Sequence, residues 1–134
     1  MKKAIFCTIL FLLPFLCNAV HLVGGEFELV HLDGLRYRLT LVTYFDELNG
    51  LNPGPETSVT VTVFANRDHA SLATFQLGLT ESIPLDFSNL NCAIAELQIT
   101  QAKYSAIVAF SPEDFADPAG YYAVWERCCR PAGV

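Results

Sequence analysis

Alternating polar and apolar residues run along most of the chain from Glu26 onward. Successive side chains of a β-strand point to opposite faces, so a period of two predicts strands, whereas a helix repeats its apolar positions about every 3.6 residues. The alternation and the turn residues between its runs predict about seven strands, at Glu26–Leu32, Leu35–Phe45, Ser58–Ala65, Ser71–Leu79, Cys92–Thr100, Lys103–Phe110 and Gly120–Cys128. A helical turn over Ala93–Leu97 is an open alternative, and Ile83–Asn91 is expected to be irregular.

The first two strands are predicted to form a hairpin. Asp33 and Gly34 separate them, and both residue types tolerate the positive φ that tight hairpin turns require. In the second strand Leu39 and Leu41 share one face, and Arg36 and Arg38 mark the start of the opposite face as solvent-facing.

Short strands spaced about ten residues apart, with turn signals between them, predict an all-β fold. The expected form is an antiparallel immunoglobulin-like β-sandwich of about seven strands with Greek-key connections. The segment Asp117–Tyr121 has the spacing of a turn that leads into a tyrosine corner, a motif of immunoglobulin-like domains. The cysteine expected two residues after that tyrosine is Ala123 here, so the match to the motif is partial.

Residues 1–19 are predicted to be a secretory signal peptide that is not part of the fold. Lys2 and Lys3 precede the apolar run Ala4–Leu16, and Ala19 supplies a small residue at the cleavage position. Residues 20–134 are then one domain of an exported protein, secreted or held at the cell surface. No second long apolar stretch follows, so no membrane insertion is expected after cleavage.

The negative net charge of the chain limits the classes of molecule that it is expected to bind. The sequence has 8 basic and 14 acidic residues, for a net charge of −6. The predicted cleavage removes two lysines and no acid, which leaves a mature net charge of −8. Nucleic acids and anionic membranes are bound through clusters of basic residues, so neither is an expected partner.

Three cysteines remain after the predicted cleavage: Cys92, Cys128 and Cys129. Exported proteins usually pair their cysteines, and adjacent residues of a strand point to opposite faces. We therefore expect one disulfide between Cys92 and either Cys128 or Cys129, closing a loop of about 37 residues. One thiol is then left over, and a disulfide-linked dimer through it is a hypothesis. A zinc site formed by the three cysteines with His69 is a weaker alternative, because no C-x-x-C spacing is present.

Several short motifs lie in a fixed order along the chain. The mature chain begins with His21–Glu26 (HLVGGE), followed by Tyr37–Thr40 (YRLT) and by Asn91–Ala93 (NCA), and it ends with Gly120–Arg130 (GYYAVWERCCR). This series resembles the N-terminal domain of large secreted surface proteins of gliding bacteria. Those proteins carry PKD-type repeats or a gliding-motility-associated C-terminal domain. The resemblance covers nearly all of the mature chain, and the G-Y-Y to R-C-C-R end is its most specific part.

The resemblance implies a module of an exported surface protein, with two departures from the family pattern. The fourth cysteine of the family corresponds to Glu47 here, so one of the two adjacent cysteines lacks its usual partner. Family members continue well beyond the C-C-R motif, whereas this sequence stops at Val134.

No motif predicts a catalytic site, a cofactor or a metal centre. His31 and His69 accompany no Ser or Cys nucleophile in a known motif, and Glu113, Asp114 and Asp117 fit a solvated loop better than a glycosidase pair. Three binding sites are weaker alternatives. They are a calcium site with ligands from Asp46, Asn49, Asn52 and Glu56, a copper site at His21, and a sugar-binding platform of Tyr121, Tyr122 and Trp125. Alternation puts Tyr122 on the face opposite Tyr121 and Trp125, which argues against a three-ring platform.

The function expected from the sequence is that of a non-catalytic module of an exported protein, used in adhesion or structural assembly. Its ligand is expected to be a protein or glycan at the cell surface or outside the cell. The alternative is a stand-alone secreted domain that binds carbohydrate or calcium.

Overall fold

A computed structural model describes residues 22–48, 54–86 and 98–127. These residues contain six β-strands and no helix. In chain order, the strands are β1 (Leu22–Asp33), β2 (Arg36–Asp46), β3 (Ser58–Ala65), β4 (Ser71–Leu85), β5 (Ile99–Ala109) and β6 (Tyr121–Val124).

The six strands form one antiparallel sheet with the order β1-β2-β5-β4-β3-β6. The sheet curls into a half-barrel, and β1 and β6 are its two edges. The all-β prediction is confirmed, but the immunoglobulin-like sandwich of about seven strands is not: the described strands belong to a single sheet.

The inner face of the curl carries the hydrophobic core. Alternate residues of the central strands point inward, and Tyr104, Leu41, Leu77 and Val61 are the largest of those that are fully buried. The outer face is mostly polar, with cross-strand hydrogen bonds such as the one between Thr40 and Ser105. The curl lets one sheet bury its own inner face, because strands from both halves of the sheet contribute to a shared core.

The predicted hairpin between β1 and β2 is confirmed, but its two turn residues are Gly34 and Leu35 rather than Asp33 and Gly34, since Asp33 is the last residue of β1. Gly34 adopts a positive φ of 52°, and Asp33 pairs directly with Arg36 across the turn. An exposed ion pair of 3.3 Å joins the side chains of those two residues. The backbone N–H of Phe110 donates to the Leu35 carbonyl, which attaches the hairpin to the end of β5.

The outer face of strand β2 changes from exposed to buried along its length. Arg36 and Arg38 are exposed, as predicted for the start of this face, whereas Thr40 and Val42 further along it are buried. Strand β2 lies between β1 and β5, so Val42 has a paired residue on each side, Glu26 and Lys103.

Several strand bounds differ from the prediction: β1 begins at Leu22 rather than Glu26, β6 ends at Val124 rather than Cys128, and β4 and β5 also differ. Residues 99–109 form one continuous strand, because no glycine or proline interrupts the alternation where the prediction placed a break. Strand β4 continues to Leu85 through Pro84, which the prediction placed in an irregular segment. Beyond Gly78, β4 has no β3 partner on its other side, so a proline without an N–H is tolerated there.

The predicted tyrosine corner is present as a local hydrogen bond. The backbone N–H of Asp117 donates to the hydroxyl of Tyr121 over 2.6 Å. Gly120 has a positive φ of 80°, and its N–H closes the turn on the Asp117 carbonyl. The side chain of Asn66 donates to the Ala119 carbonyl, so this turn is also fixed to the end of β3.

Candidate functional site

The two edge strands of the sheet lie on opposite sides of an apolar groove, which we call the edge groove. It consists of two open cavities of about 590 and 710 Å³. Each is lined by residues of β1 and by residues of the segment 121–127, and Phe27 lines both. The groove therefore separates β1 from the segment 121–127, and it is the space that a further strand between them would occupy.

The β1 side of the groove exposes large apolar side chains. Phe27 is 41% exposed and Leu29 is 53% exposed. Their direct ladder partners on β2, Leu41 and Leu39, are 2% and 4% exposed. The four side chains share the inner face, so the difference arises because nothing among the described residues covers β1 from its outer edge.

Aromatic rings form the floor of the smaller cavity. Tyr37, Phe110, Phe115 and Tyr121 make a continuous row with centroid separations of 5.4, 4.7 and 5.0 Å. Tilted and edge-on contacts of this kind are favourable and hold the rings in place. The row connects the β1–β2 hairpin end of the sheet to the start of β6 and gives this part of the groove a rigid wall.

The larger cavity combines one indole with charged groups. It is lined in part by Trp125, Glu126 and Arg127, with Leu22 and Phe27 of β1 on the opposite side. The guanidinium of Arg127 lies 5.1 Å from the centre of the Phe45 ring and pairs with Glu56 at 3.7 Å. Arg127 therefore fixes the chain after β6 against the core at this end of the sheet.

Tyr104 places a phenol in the core close to these groups. Its side chain is fully buried, and its hydroxyl lies near the Glu56 backbone and the Thr43 side chain without a well-formed hydrogen bond to either. Burial raises the pKa of Tyr104, and the nearby charge of Glu56 raises it further, while Arg127 opposes the shift. The phenol is therefore neutral at physiological pH.

The histidines and carboxylates considered as catalytic groups serve the turns of the sheet. His31 hydrogen-bonds the Gly34 carbonyl in the hairpin, and His69, with a φ of 59°, bonds the Tyr122 hydroxyl. Asp117 pairs with Arg67 at 3.2 Å and accepts the Ala119 N–H, which builds the tyrosine-corner turn. These contacts place each group in a local structural role.

The metal-site candidates are not brought together by the described residues. Asp46 accepts the N–H of Leu48, and Glu56 pairs with Arg127; Asn49, Asn52 and His21 lie outside the described residues. Within residues 22–48, 54–86 and 98–127, no group of three or more metal-ligating side chains forms. Cys92, Cys128 and Cys129 also lie outside the described residues, so the disulfide, the dimer and the zinc alternative stay predictions.

The aromatic residues of the last strand divide as the alternation predicted. Tyr121 contacts Phe115 on the inner side, whereas Tyr122 stacks on Phe64 at 5.5 Å on the outer face. Trp125 packs partly against the core. The three rings therefore do not form one platform.

Sequence reasoning missed the edge groove. The alternation identifies Phe27 and Leu29 as inward-facing, but it carries no information on whether β1 is covered. The role of Arg127 was also missed, because its partners Phe45 and Glu56 are distant in sequence.

Comparison with known protein families, curated proteins and solved structures finds no match to this chain. In the part of the chain that the structure describes, no helix is long and apolar enough to cross a bilayer.

Proposed function

We propose that this chain is a non-catalytic module of an exported protein, secreted or at the cell surface, that acts in adhesion or structural assembly. The observation that carries the proposal is the edge groove. Contiguous exposed apolar surface commonly marks a site of interaction, and both cavities fall within the size range of binding sites. The structural roles of His31, His69 and Asp117 support a binding function over a catalytic one.

The resemblance to surface proteins of gliding bacteria supports the same proposal. It agrees with the exported setting that the predicted signal peptide at residues 1–19 and the predicted disulfide already indicate. An immunoglobulin-like sandwich would need a second layer over the edge groove, and the hydrogen bond of the tyrosine corner is the local feature that favours it.

The described residues that flank the cysteines support one bridge. Leu85 pairs with Ile99, so the segment that contains Cys92 leaves and re-enters the sheet at one end. Arg127, the residue before Cys128, lies against Phe45, and Phe45 pairs with Thr100 at that same end.

Mass spectrometry of the exported product, with thiols alkylated before and after reduction, tests whether one disulfide forms. A Val20–Val134 mass with one alkylated thiol before reduction supports a single bridge, and three such thiols contradict it.

Photo-cross-linking in the cells that produce the protein tests the module function. A benzophenone amino acid replaces Leu29 in the groove, and a matched variant carries it at Gln76 on the exposed outer face of β4. The proposal expects a discrete adduct with another envelope or extracellular macromolecule from position 29 and none from position 76. The absence of any adduct from position 29 would contradict it.

A second candidate is a stand-alone secreted domain that binds carbohydrate. Trp125 beside Glu126 and Arg127 in the larger cavity favours it, because sugars stack on an aromatic face and hydrogen-bond to neighbouring polar groups. The calcium version has weaker support, since Glu56 is already paired with Arg127. Saturable quenching or shift of Trp125 emission with glycans that is lost in Arg127→Ala would favour carbohydrate binding. The same response to Ca²⁺, kept or strengthened in Arg127→Ala because Glu56 is released, would favour calcium binding.

A further inference from the structure

The edge groove has a feature that small-molecule pockets lack: one of its walls is the unpaired edge of a long strand. Strand β1 has 12 residues and, within the part of the chain that the structure describes, pairs with β2 on one side only. Half of its N–H and C=O groups therefore point away from the sheet. Exposed edges of this kind are templates for another strand, and natural proteins usually shorten, cover or distort them.

The side chains of β1 divide the edge into two chemically different faces. Phe27 and Leu29 point into the groove. Glu26 and Glu28 alternate with them and lie exposed on the outer face. A strand added here would place one set of side chains on an apolar surface and the other set beside two carboxylates.

Neither carboxylate on this edge forms an ion pair among the described residues, although Arg38 pairs with Val30 on the same outer face. Glu26 accepts a hydrogen bond from the Tyr44 hydroxyl, and Glu28 has no ion-pair partner among the described residues. The nearest ammonium group, Lys103, bonds Glu81 at 2.9 Å. Glu81 is also the main cause of the raised pKa of Lys103, and Glu28 adds a smaller contribution. The outer face of the edge therefore favours positive charge.

We propose that β1 accepts an extended segment of a partner protein whose side chains alternate between apolar and basic. This inference rests on the proposed module function and names the chemistry of its partner. The segment runs antiparallel to β1, as β2 does, and adds a strand within the gap between β1 and β6. Its apolar side chains enter the groove over Phe27 and Leu29, and its lysines or arginines lie opposite Glu26 and Glu28.

Charge favours such a partner over a second copy of this chain. The net charge of −6 makes association between copies repulsive. In antiparallel pairing of β1 with itself centred on Phe27, Glu26 of each copy would lie directly opposite Glu28 of the other. Like charges in that position destabilise a strand pair, whereas opposite charges stabilise it.

Designed peptides of about nine residues test the proposal on the full exported chain. The first alternates lysine and valine. The second alternates glutamate and valine, and the third is the lysine peptide with alternate backbone nitrogens methylated. Trp125, the only tryptophan, reports binding in the groove, and hydrogen exchange of the β1 amides reports new backbone hydrogen bonds. The lysine peptide is expected to bind saturably and to protect β1, while the other two bind about tenfold more weakly or worse.

Charge reversal supplies the matched variants. The double variant Glu26→Lys/Glu28→Lys is expected to weaken the lysine peptide by about tenfold and to gain affinity for the glutamate peptide. The double variant Glu113→Lys/Asp114→Lys makes the same change in net charge in the exposed loop before β6 and is expected to leave the preference for lysine in place. Unfolding by urea checks that both variants fold.

Several results would overturn the inference. Equal affinity for the lysine and glutamate peptides would remove the charge argument. Binding without protection of β1, or equal binding of the methylated peptide, would indicate an apolar ligand that makes no strand pairing. A dimer in the absence of peptide that Leu29→Lys dissociates would identify a second copy as the occupant. If none of the peptides binds while benzophenone at position 29 still captures a macromolecule, the result supports the proposed binding module but contradicts the addition of an apolar and basic strand to β1.

Discussion

The centre of the sheet and its β1 edge carry similar apolar side chains with opposite exposure. Leu41 at the centre is 2% exposed, while its ladder neighbour Phe27 on the edge is 41% exposed. Both point to the inner face, and only the number of strands around them differs. The comparison shows that alternation decides which face a residue occupies, whereas burial depends on what lies beside and above the strand.

Truncation of a leucine in each region gives the largest expected difference. Leu41→Ala removes a fully packed side chain and is expected to lower the free energy of unfolding by about 2–5 kcal/mol. Leu29→Ala, at a position 53% exposed, is expected to change it by about 0.5 kcal/mol. Urea unfolding of both variants measures this. Similar losses at both positions would mean that β1 is covered in solution.

Two adjacent glycines test how closely the edge strand approaches the centre. A Cβ at Gly25 would lie 2.9 Å from the Val42 carbonyl oxygen, whereas a Cβ at Gly24 would have no neighbour within 4 Å. Gly25→Ala is expected to destabilise the fold by about 1–3 kcal/mol, because β1 must shift away from β2. Gly24→Ala is the control and is expected to have little effect in the same denaturant series. Equal losses of stability in the two variants would contradict a close approach of Gly25 to the Val42 carbonyl.

The opposite edge is expected to depend on the tyrosine corner. Tyr121→Phe deprives the Asp117 N–H of its acceptor and is expected to cost about 1 kcal/mol. Tyr122→Phe loses only an exposed hydrogen bond to His69 and serves as its control. Thermal unfolding compares the two, and a larger loss for Tyr122→Phe would contradict the corner's role in anchoring β6.

The smallest effect concerns the buried phenol at the centre. The raised pKa of Tyr104 means that the folded state holds its proton more tightly than the unfolded state. The stabilisation from this group is therefore complete below pH about 10 and falls as the pH rises through the folded pKa. Above that pH, the free energy of unfolding of Tyr104→Phe is expected to fall less steeply than that of the original protein. At neutral pH the variant is expected to be more stable by up to about 1 kcal/mol, because it lacks a buried hydroxyl without a well-formed hydrogen bond. An identical alkaline profile in both proteins would contradict this.

Much of the local structure could be predicted from the sequence. The bounds of β3, the hairpin at Gly34 and the corner at Tyr121 follow from short patterns of residues. The predicted bounds of β4 and β5 were wrong for different reasons. Strand β5 continues through Gln101 and Ala102, where a break was predicted although the alternation is unbroken. Strand β4 continues through Pro84 because β3 begins at Ser58 and does not pair with this part of β4.

The sequence by itself determined that this protein is built of antiparallel strands with defined inner and outer faces, because side-chain alternation and turn residues act over a few positions. Only the tertiary structure decided the order β1-β2-β5-β4-β3-β6 and therefore which strands are edges. That order brings Phe27 and Trp125 to opposite sides of one groove, although they are far apart in the chain. The exposure of β1 depends on which strands lie beside it, and among the described residues only β2 does; no local pattern of residues encodes that arrangement.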